Sequence, residues 1–549
     1  MTSQQYDAVV VGGGPNGLVA ANHLIDAGWS VLLLEAQPDI GGAVRSARDV
    51  HPDYVHDTFS AFYPLAAASR TIQSFNLEEH GLRWVHAPAV LGNPLPGGEW
   101  ALLHRDRTVT AELAEAAHPG DGEAWLEFVR LWDLMGDAIV RALLTPFPPV
   151  RAGLGALRRL PAAGGLDFIR LMLTPVTDIG RQRFGGEAPR ILLAGNAGHA
   201  DIPLDSTGSG VLGVLLCMLG QTVGFPVPEG GAGMLAQALA NRFRAQGGQI
   251  RCDAEVTRID VERGRAVAVR VGEERYVATR AVLADVVASK LYGGLVPTED
   301  LPSQVRRQMH AFQLDPGTVK VDWALDGPVP WSSPPAYDPG TFHVADSVEQ
   351  MSEALAQVTA GAIPAKPFML AGQMTTSDPT RSPRGTESLW AYTHVPHHAA
   401  YDAGADAGAD GSGGAVRGVW DHDDCERFAD RMQARIEEHA PDFASRIVAR
   451  RVLGPREMEA RDANLVGGAV NGGTANLHQQ LVFRPVPSTW GRAETRIAGL
   501  YLASASAHPG GGVHGAPGMN AARAALAHHR VRTLTHVGRS AGPGADPAR

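Results

Sequence analysis

Between Tyr6 and Glu35 the chain writes a strand, a glycine turn, a helix and a second strand, and few folds accept that order around such a turn. Tyr6–Val11 (YDAVVV) is a β-branched run expected to form a buried strand. Gly12-Gly13-Gly14-Pro15-Asn16-Gly17 follows it. Leu18–Ala27 carries Leu18, Ala21, Leu24 and Ile25 at helical spacing, and Gly28 closes the helix. Ser30–Leu34 (SVLLL) reads as the next strand, with Glu35 at its end, 18 residues beyond Gly17. Glycines at positions one, three and six of a strand-to-helix turn, with an acid at that distance, make the dinucleotide-binding fingerprint.

Each position has a physical task. Gly12 allows the tight turn, Gly14 lets a pyrophosphate approach the backbone, and Gly17 lets helix and strand pack closely. Phosphates are expected at the helix N-terminus, where free N–H groups and the helix dipole favour negative charge. Glu35 is suited to accept two ribose hydroxyls and would repel a 2′-phosphate, which disfavours NADP. Glu35-Ala36 is followed by IGGAVRS, in which Gly41, Gly42 and Arg45 suit a ligand that continues past the pyrophosphate, as FAD does and NAD does not.

Composition removes other classes. Lys and Arg total 48 against 58 Asp and Glu, a net charge of −10, which excludes a general nucleic-acid binder. Three lysines among so many arginines read as a genomic bias rather than a function. Cys217, Cys252 and Cys425 lie far apart, with no CxxC or Cys/His cluster, so neither a disulfide scaffold nor a structural zinc site is expected. The N-terminus enters a strand with no basic leader, so a cytoplasmic protein is expected. The longest uncharged run, Ser206–Pro228, is broken by glycines and reads as a buried helix and loop.

Further along, a glycine turn at Gly230–Gly233 opens a helix expected over Met234–Gln246. Strands are expected at Gln249–Cys252 and Glu255–Ile259, then a hairpin of Ala266–Val271 with Arg275–Val277, then a separate strand at Ala281–Ala284. Gly499–Ala503 (GLYLA) is another strand, and Ser504–Gly518 feeds a helix from Met519. Residues from about 100 to 225 look helical, with Trp125, Phe128, Trp132 and Met135 at helical spacing. Residues from about 300 to 480 mix strands (Thr318–Leu325, Pro367–Met374, Ser388–His394) with a helix near Cys425–His439. The predicted architecture is α/β. A Rossmann-type FAD-binding domain takes 1–100, 226–300 and 480–535, and an interleaved α+β substrate domain takes 101–225 and 301–479. Residues 400–418 are expected to form a flexible loop and 539–549 a disordered tail.

Four segments carry a resemblance: VVVGGGPNGLVAANHLIDAGWSVLLLEA, IGGAVRS, PVPEGGAGMLAQALA with GGQIRCDAEVTRI, and GLYLASASAHPGGGVHGAPGMNAARAAL. They resemble the phytoene-desaturase-like FAD-dependent oxidoreductases within the carotenoid desaturase and amine-oxidase superfamily. The nearest likeness is to a bacterial branch related to the mitochondrial pyridine-nucleotide-disulfide-oxidoreductase-domain proteins. The resemblance implies that Gly12, Gly14, Pro15, Asn16 and Gly17 cradle the FAD pyrophosphate and that Glu35 and Ala36 meet the adenosine ribose. It implies that Gly41, Gly42 and Arg45 line the pyrophosphate and ribityl region and that Val256 meets the adenine through its backbone. Pro517, Gly518, Met519 and Asn520 would bring a helix N-terminus to the flavin pyrimidine, where the dipole favours negative charge. Relatives often end the GLYL strand with Gly-Asp; here Ala503 and Ser504 stand there, so the usual ribityl anchor is replaced.

The expected chemistry is hydride transfer from a hydrophobic small molecule to flavin N5, by a dehydrogenase, desaturase or oxidase, with oxygen, a quinone or NAD as electron acceptor. Such chemistry needs no triad and no metal. A flavin-dependent isomerase or hydratase, and a flavin-stabilised scaffold, are the alternatives. His56, His199 and His508 are the candidate bases, each with a packing role as its competing reading. His394, His397 and His398 lack a carboxylate or Cys at ligand spacing, so no metal is expected. The stripe Trp125–Leu144 and an arginine-punctuated helix near Leu154–Leu173 read either as core against the substrate cavity or as a membrane-facing amphipathic surface.

Overall fold

The computed structural model describes residues 4–405 and 415–540. Two seven-stranded sheets organise it. The first is built around β1 (Gln4–Val11), which pairs in parallel with β2 (Val31–Leu34) in the register Ala8 to Val31 through Val11 to Leu34. The helix between them, α1 (Pro15–Asp26), buries Leu18, Val19, Ala20, Ala21 and Leu24 against the sheet. Four consecutive buried residues at the end of β1 and all four of β2 show why these strands read as continuous apolar runs: both faces of the sheet are covered.

The remaining strands of this sheet come from far downstream. Gln249–Arg251 extends it beyond β2, and Glu274–Ala284 flanks β1 on the other side. Glu274–Ala284 is one 11-residue strand, where the sequence suggests a hairpin arm and a separate strand. It forms the antiparallel hairpin with Arg265–Val271 at its start and runs parallel to β1 along its length, with a register shift between Tyr6 and Ala8. The strand expected at Glu255–Ile259 is displaced to Arg258–Glu262, so Val256 lies in the irregular stretch before it. Leu500–Leu502 pairs with the end of Glu274–Ala284.

The second sheet runs in the order Ile447–Leu453, Gly317–Leu325, Glu387–Val395, Met369–Gln373, Pro339–Val344, Ala89–Pro94, Trp100–Leu103. Ala89–Pro94 pairs in parallel with Pro339–Val344. The segment expected to serve the first sheet up to residue 100 therefore passes to the second sheet by 89. Conversely, Leu301 and Val305 pack into the core beneath the first sheet, so that unit extends beyond residue 300.

Helices Asp121–Leu144, Glu187–Gly198 and Ser209–Gly220 cover one face of the second sheet, burying Trp125, Phe128 and Val129 with Leu91, Leu103 and Leu370. The single helix expected near Leu154–Leu173 is two, Val150–Arg159 and Leu166–Leu173, separated by a turn containing Pro161, Gly164 and Gly165. Helix His422–Glu437 packs Phe428 and Met432 on the other face of the sheet. Part of the expected flexible loop is tied down. Tyr401–Asp402 pairs with Ala362–Ile363, and both Asp402 carboxylate oxygens accept from Arg431. Residues 406–414 of that loop, and 541–549 of the expected tail, lie outside the described residues, while 539–540 end the C-terminal helix Ala516–Ser540.

No helix among the described residues is long and apolar enough to cross a membrane.

Candidate functional site

The glycine turn is closed by steric necessity. Gly12 has φ +99°, a left-handed conformation that favours glycine, and its amide donates to the Leu34 carbonyl at 2.8 Å. A Cβ on Gly17 would stand 2.1 Å from the Gly12 carbonyl oxygen, so α1 meets β1 at a distance only glycine permits. Gly14 is the N-cap of α1, with no side-chain cap, and Pro15 begins the helix, its missing N–H falling where none is needed.

Two distant segments close on this turn. The Gly41 amide donates to the Gly13 carbonyl at 2.9 Å, and a Cβ on Gly42 would lie 3.2 Å from Gly14 Cα. A Cβ on Gly518 would lie 1.9 Å from the Asn16 carbonyl oxygen, so the first turn of helix Ala516–Ser540, with Pro517 and Met519, sits directly on the turn. Arg45 donates to the carbonyls of Gly42 and Arg461. The structure thus gathers Gly12, Gly14, Pro15, Asn16, Gly17, Gly41, Gly42, Arg45, Pro517, Gly518 and Met519 at one place.

Glu35 stands at the tip of β2, accepting from the Gly13 amide at 2.6 Å and the Gln37 amide at 2.9 Å. Burial raises its carboxyl above the usual range, and those two amides oppose the rise. Ala36 is exposed beside it. Val256 is buried on the same side of the sheet as Val11, Leu34 and Ala254, and the Ala254 amide donates to the Glu35 carbonyl. Ser504 Oγ accepts from the Ser506 amide, so it caps its own loop.

Asp285, which follows strand Glu274–Ala284, belongs to no motif legible in the sequence. Its amide donates to the Val11 carbonyl at 2.7 Å and its Oδ2 accepts from the Gly17 amide at 2.8 Å. Burial, with Asp462 and Glu35 nearby, pushes its carboxyl up to about 8, against the pull of that amide. A Cβ on Gly14 would meet Asp285 Oδ2 at 2.8 Å. Asn464 fixes this corner, accepting from the Val287 amide and donating to the Asp285 carbonyl.

A second group of polar side chains lies where the two sheets approach. Arg484 is fully buried and donates to the carbonyls of Asn471, Gly473, Thr474 and Ala505, which clamps segment 471–474 to the loop after Leu500–Leu502. Asn471 Nδ2 donates to Asp201 Oδ2 at 2.7 Å, and Asp201 Oδ1 lies 2.9 Å from His394 Nε2. Burial alone would depress His394, but the Asp201 carboxylate holds it above the ordinary histidine value. Asp315 accepts from the amides of Val470, Asn471 and Gly473, and burial, then Asp201, pushes it up to about 6. Tyr392 stands edge-on to His394.

The three histidines singled out in the sequence fall in different places. His508 is on the loop held by Arg484, with the Phe147 ring edge-on at 5.8 Å; burial lowers it to about 4. His199 Nε2 lies 3.2 Å from His343 Nε2, and burial, then His394, lowers it to about 3, so this pair is neutral. His56 is away from this group: its Nε2 pairs with the Trp323 carbonyl under the second sheet, stacked against Tyr54, which makes it a packing residue. His394, His397 and His398 diverge, His397 turning to the Asp315 carbonyl and His398 to solvent. The pairing of His394 with Asp201 leaves no spacing signal, because the two lie 193 positions apart and His394 sits near the end of strand Glu387–Val395.

The absence of side chains on Gly12, Gly14, Gly17, Gly41, Gly42 and Gly518, the start of α1 at an N-cap glycine, and the buried Asn16 Oδ1 with no hydrogen-bond partner together form a cradle with an acceptor left free. These are the features a dinucleotide requires. Residues 10–75 match the NAD(P)-binding Rossmann-like domain. The chain is 27% identical to pyridine nucleotide-disulfide oxidoreductase domain-containing protein 2 of Mus musculus, over 94% of this chain and 93% of that protein. It is 24% identical to the phytoene desaturase (lycopene-forming) of Pseudescherichia vulneris, over 56% of each chain. It shares its fold with a putrescine oxidase crystallised with putrescine, at TM-score 0.58 and 18% identity, over 96% of this chain and all of the other. The chain thus carries a Rossmann-like domain, is similar over nearly its whole length to the mouse oxidoreductase-domain protein and over about half of it to the phytoene desaturase, and has the fold of the putrescine oxidase.

Proposed function

We propose that the protein binds FAD in the glycine cradle and removes hydride from a hydrophobic small molecule. The observation that carries this is the meeting of three remote segments, Gly12–Gly17, Gly41–Arg45 and Pro517–Met519, around two helix N-termini. The amides at the start of α1 would take the pyrophosphate, Glu35 the adenosine ribose, and the first turn of Ala516–Ser540 the pyrimidine edge. Bound flavin supplies the hydride acceptor.

The chain's own contribution is orientation and proton handling. Arg484 fixes the loop carrying Ser504–His508 against segment 471–474. His394, raised above the ordinary histidine value by the Asp201 carboxylate, is the group suited to give or take a proton at the substrate. Tyr392 and Phe147 put aromatic surface beside the two histidines, which suits an apolar substrate and excludes water.

The test is reconstitution with FAD followed by anaerobic addition of candidate lipophilic substrates. Bleaching of the flavin's visible band with product formed supports the reading. Product formed without bleaching assigns an isomerase or hydratase instead, and purified protein unable to take up FAD removes the proposal altogether.

A further inference from the structure

Helices Val150–Arg159 and Leu166–Leu173 are amphipathic with the apolar stripe turned outward. On the first, Val150, Leu154 and Leu157, spaced i, i+4, i+7, face solvent; on the second, Leu166, Ile169 and Leu173, spaced i, i+3, i+7, do the same. All six are between 42 and 81% exposed. A surface helix ordinarily turns such a stripe into the core. Here the second helix buries Phe168 and Leu171 on its opposite side, so its position is fixed by packing and the outer stripe is surplus to it.

The charge around this face differs from that of the molecule. Residues 145–175 carry four arginines, Arg151, Arg158, Arg159 and Arg170, against one acid, Asp167, in a chain whose acids outnumber its bases. All four arginines are exposed, and no ion pair joins them to a carboxylate among the described residues. A second copy of the chain docked by a two-fold contact would set these arginines against one another. A lipid surface of negative charge would accept the leucines into its acyl boundary and the arginines among its headgroups.

We infer that this helix pair docks the protein on an anionic lipid bilayer. The face is coupled to the candidate site by the segment that leads into it. Phe147, three residues before Val150, lies against His508, and under the second helix an apolar gap is lined by Leu131, Trp132, Phe168, Leu171, Met172 and Leu215. Docking would place that side of the molecule at the bilayer, the source from which a lipophilic compound is drawn. The inference stands on exposure and charge, and does not depend on the cofactor reading.

The experiment is co-sedimentation of the full chain with vesicles of phosphatidylcholine alone and of phosphatidylcholine mixed with phosphatidylglycerol, with light scattering of the free protein alongside. The wild type is expected to pellet with the mixed vesicles, more weakly with the neutral ones, and to be released by salt. Leu154→Glu with Leu157→Glu, and separately Arg158→Glu with Arg159→Glu, should each lower the partition coefficient by roughly tenfold or more while leaving the circular dichroism spectrum unchanged. These positions are exposed, so both variants are expected to fold. Wild-type protein that stays in the supernatant with both vesicles overturns the inference. So does a wild-type dimer that Leu154→Glu with Leu157→Glu converts to monomer with no change in vesicle partition.

Discussion

The Asp285 carboxylate accepts a hydrogen bond from the Gly17 amide at 2.8 Å, tying the end of one strand to the turn that opens α1 on the neighbouring strand. The turn is therefore held by an acid as well as freed by glycines, and that acid is protonated at neutral pH because burial has raised it from 3.8 to about 8. A carboxyl kept neutral can lie beside a pyrophosphate where an ionised one would repel it.

The pH dependence of stability follows. Between about 3.8 and 8 the folded state retains a proton on Asp285 that the unfolded state has released, so this group's contribution falls as pH rises through that window. Asp285→Asn keeps an acceptor for Gly17 and removes the titration. Thermal melts at several pH values should show the variant gaining on the wild type as pH rises from 5 to 8, and parallel curves would contradict the raised value.

Gly518→Ala places a Cβ 1.9 Å from the Asn16 carbonyl oxygen, and backbone must move. A loss of about 1–3 kcal/mol is expected in chemical denaturation. FAD retention should fall by more than that loss accounts for, because the shift separates the C-terminal helix from the glycine turn. Gly28→Ala, at a glycine with open space around it, controls for strain alone: it carries φ +78° but lies outside the cradle.

Asp201→Asn removes the charge that raises His394. The ionisation of His394 should move to lower pH, shifting the corresponding limb of the kcat/KM profile in the same direction. His394→Gln should lower kcat by on the order of 100-fold or more if the imidazole carries the proton, with the fold unchanged by circular dichroism. An unaltered profile in both variants would return the pair to a packing role.

Arg381 is fully buried between Asp57 and Asp378, donating to each at 3.0 and 2.7 Å. Arg381→Met leaves both carboxylates without their shared partner, at a cost of about 3–5 kcal/mol. Because Asp57 also accepts from the Ala232 amide, the loss should be accompanied by earlier proteolysis around residues 228–232, measured by limited digestion.

What was legible in the sequence was local. The order of strand, turn and helix from Tyr6 to Glu35 is set by neighbouring residues, and the structure reproduces it to within a few positions. The join of the hairpin arm to Ala281–Ala284 was hidden because Thr279 and Arg280 interrupt the apolar pattern, while their backbone continues the strand. Ala89–Pro94 looked like an extension of the first unit because its partner, Pro339–Val344, lies some 250 positions away. Asp201, Asp315 and Arg484 carry no motif; what makes them a group is burial and a shared loop, neither of which is written in spacing.

The contact of Gly518 with Asn16 has a consequence for when the protein becomes competent. These residues are made 502 positions apart, so at about 5–20 residues per second a nascent chain waits roughly 25–100 s between synthesising one wall of the cradle and the other. Throughout that interval the glycine turn emerges from the ribosome without its lid. Cofactor loading is thereby deferred until residue 518 has been made, and a message truncated before helix Ala516–Ser540 yields a polypeptide with its fingerprint intact and one wall of the cradle missing.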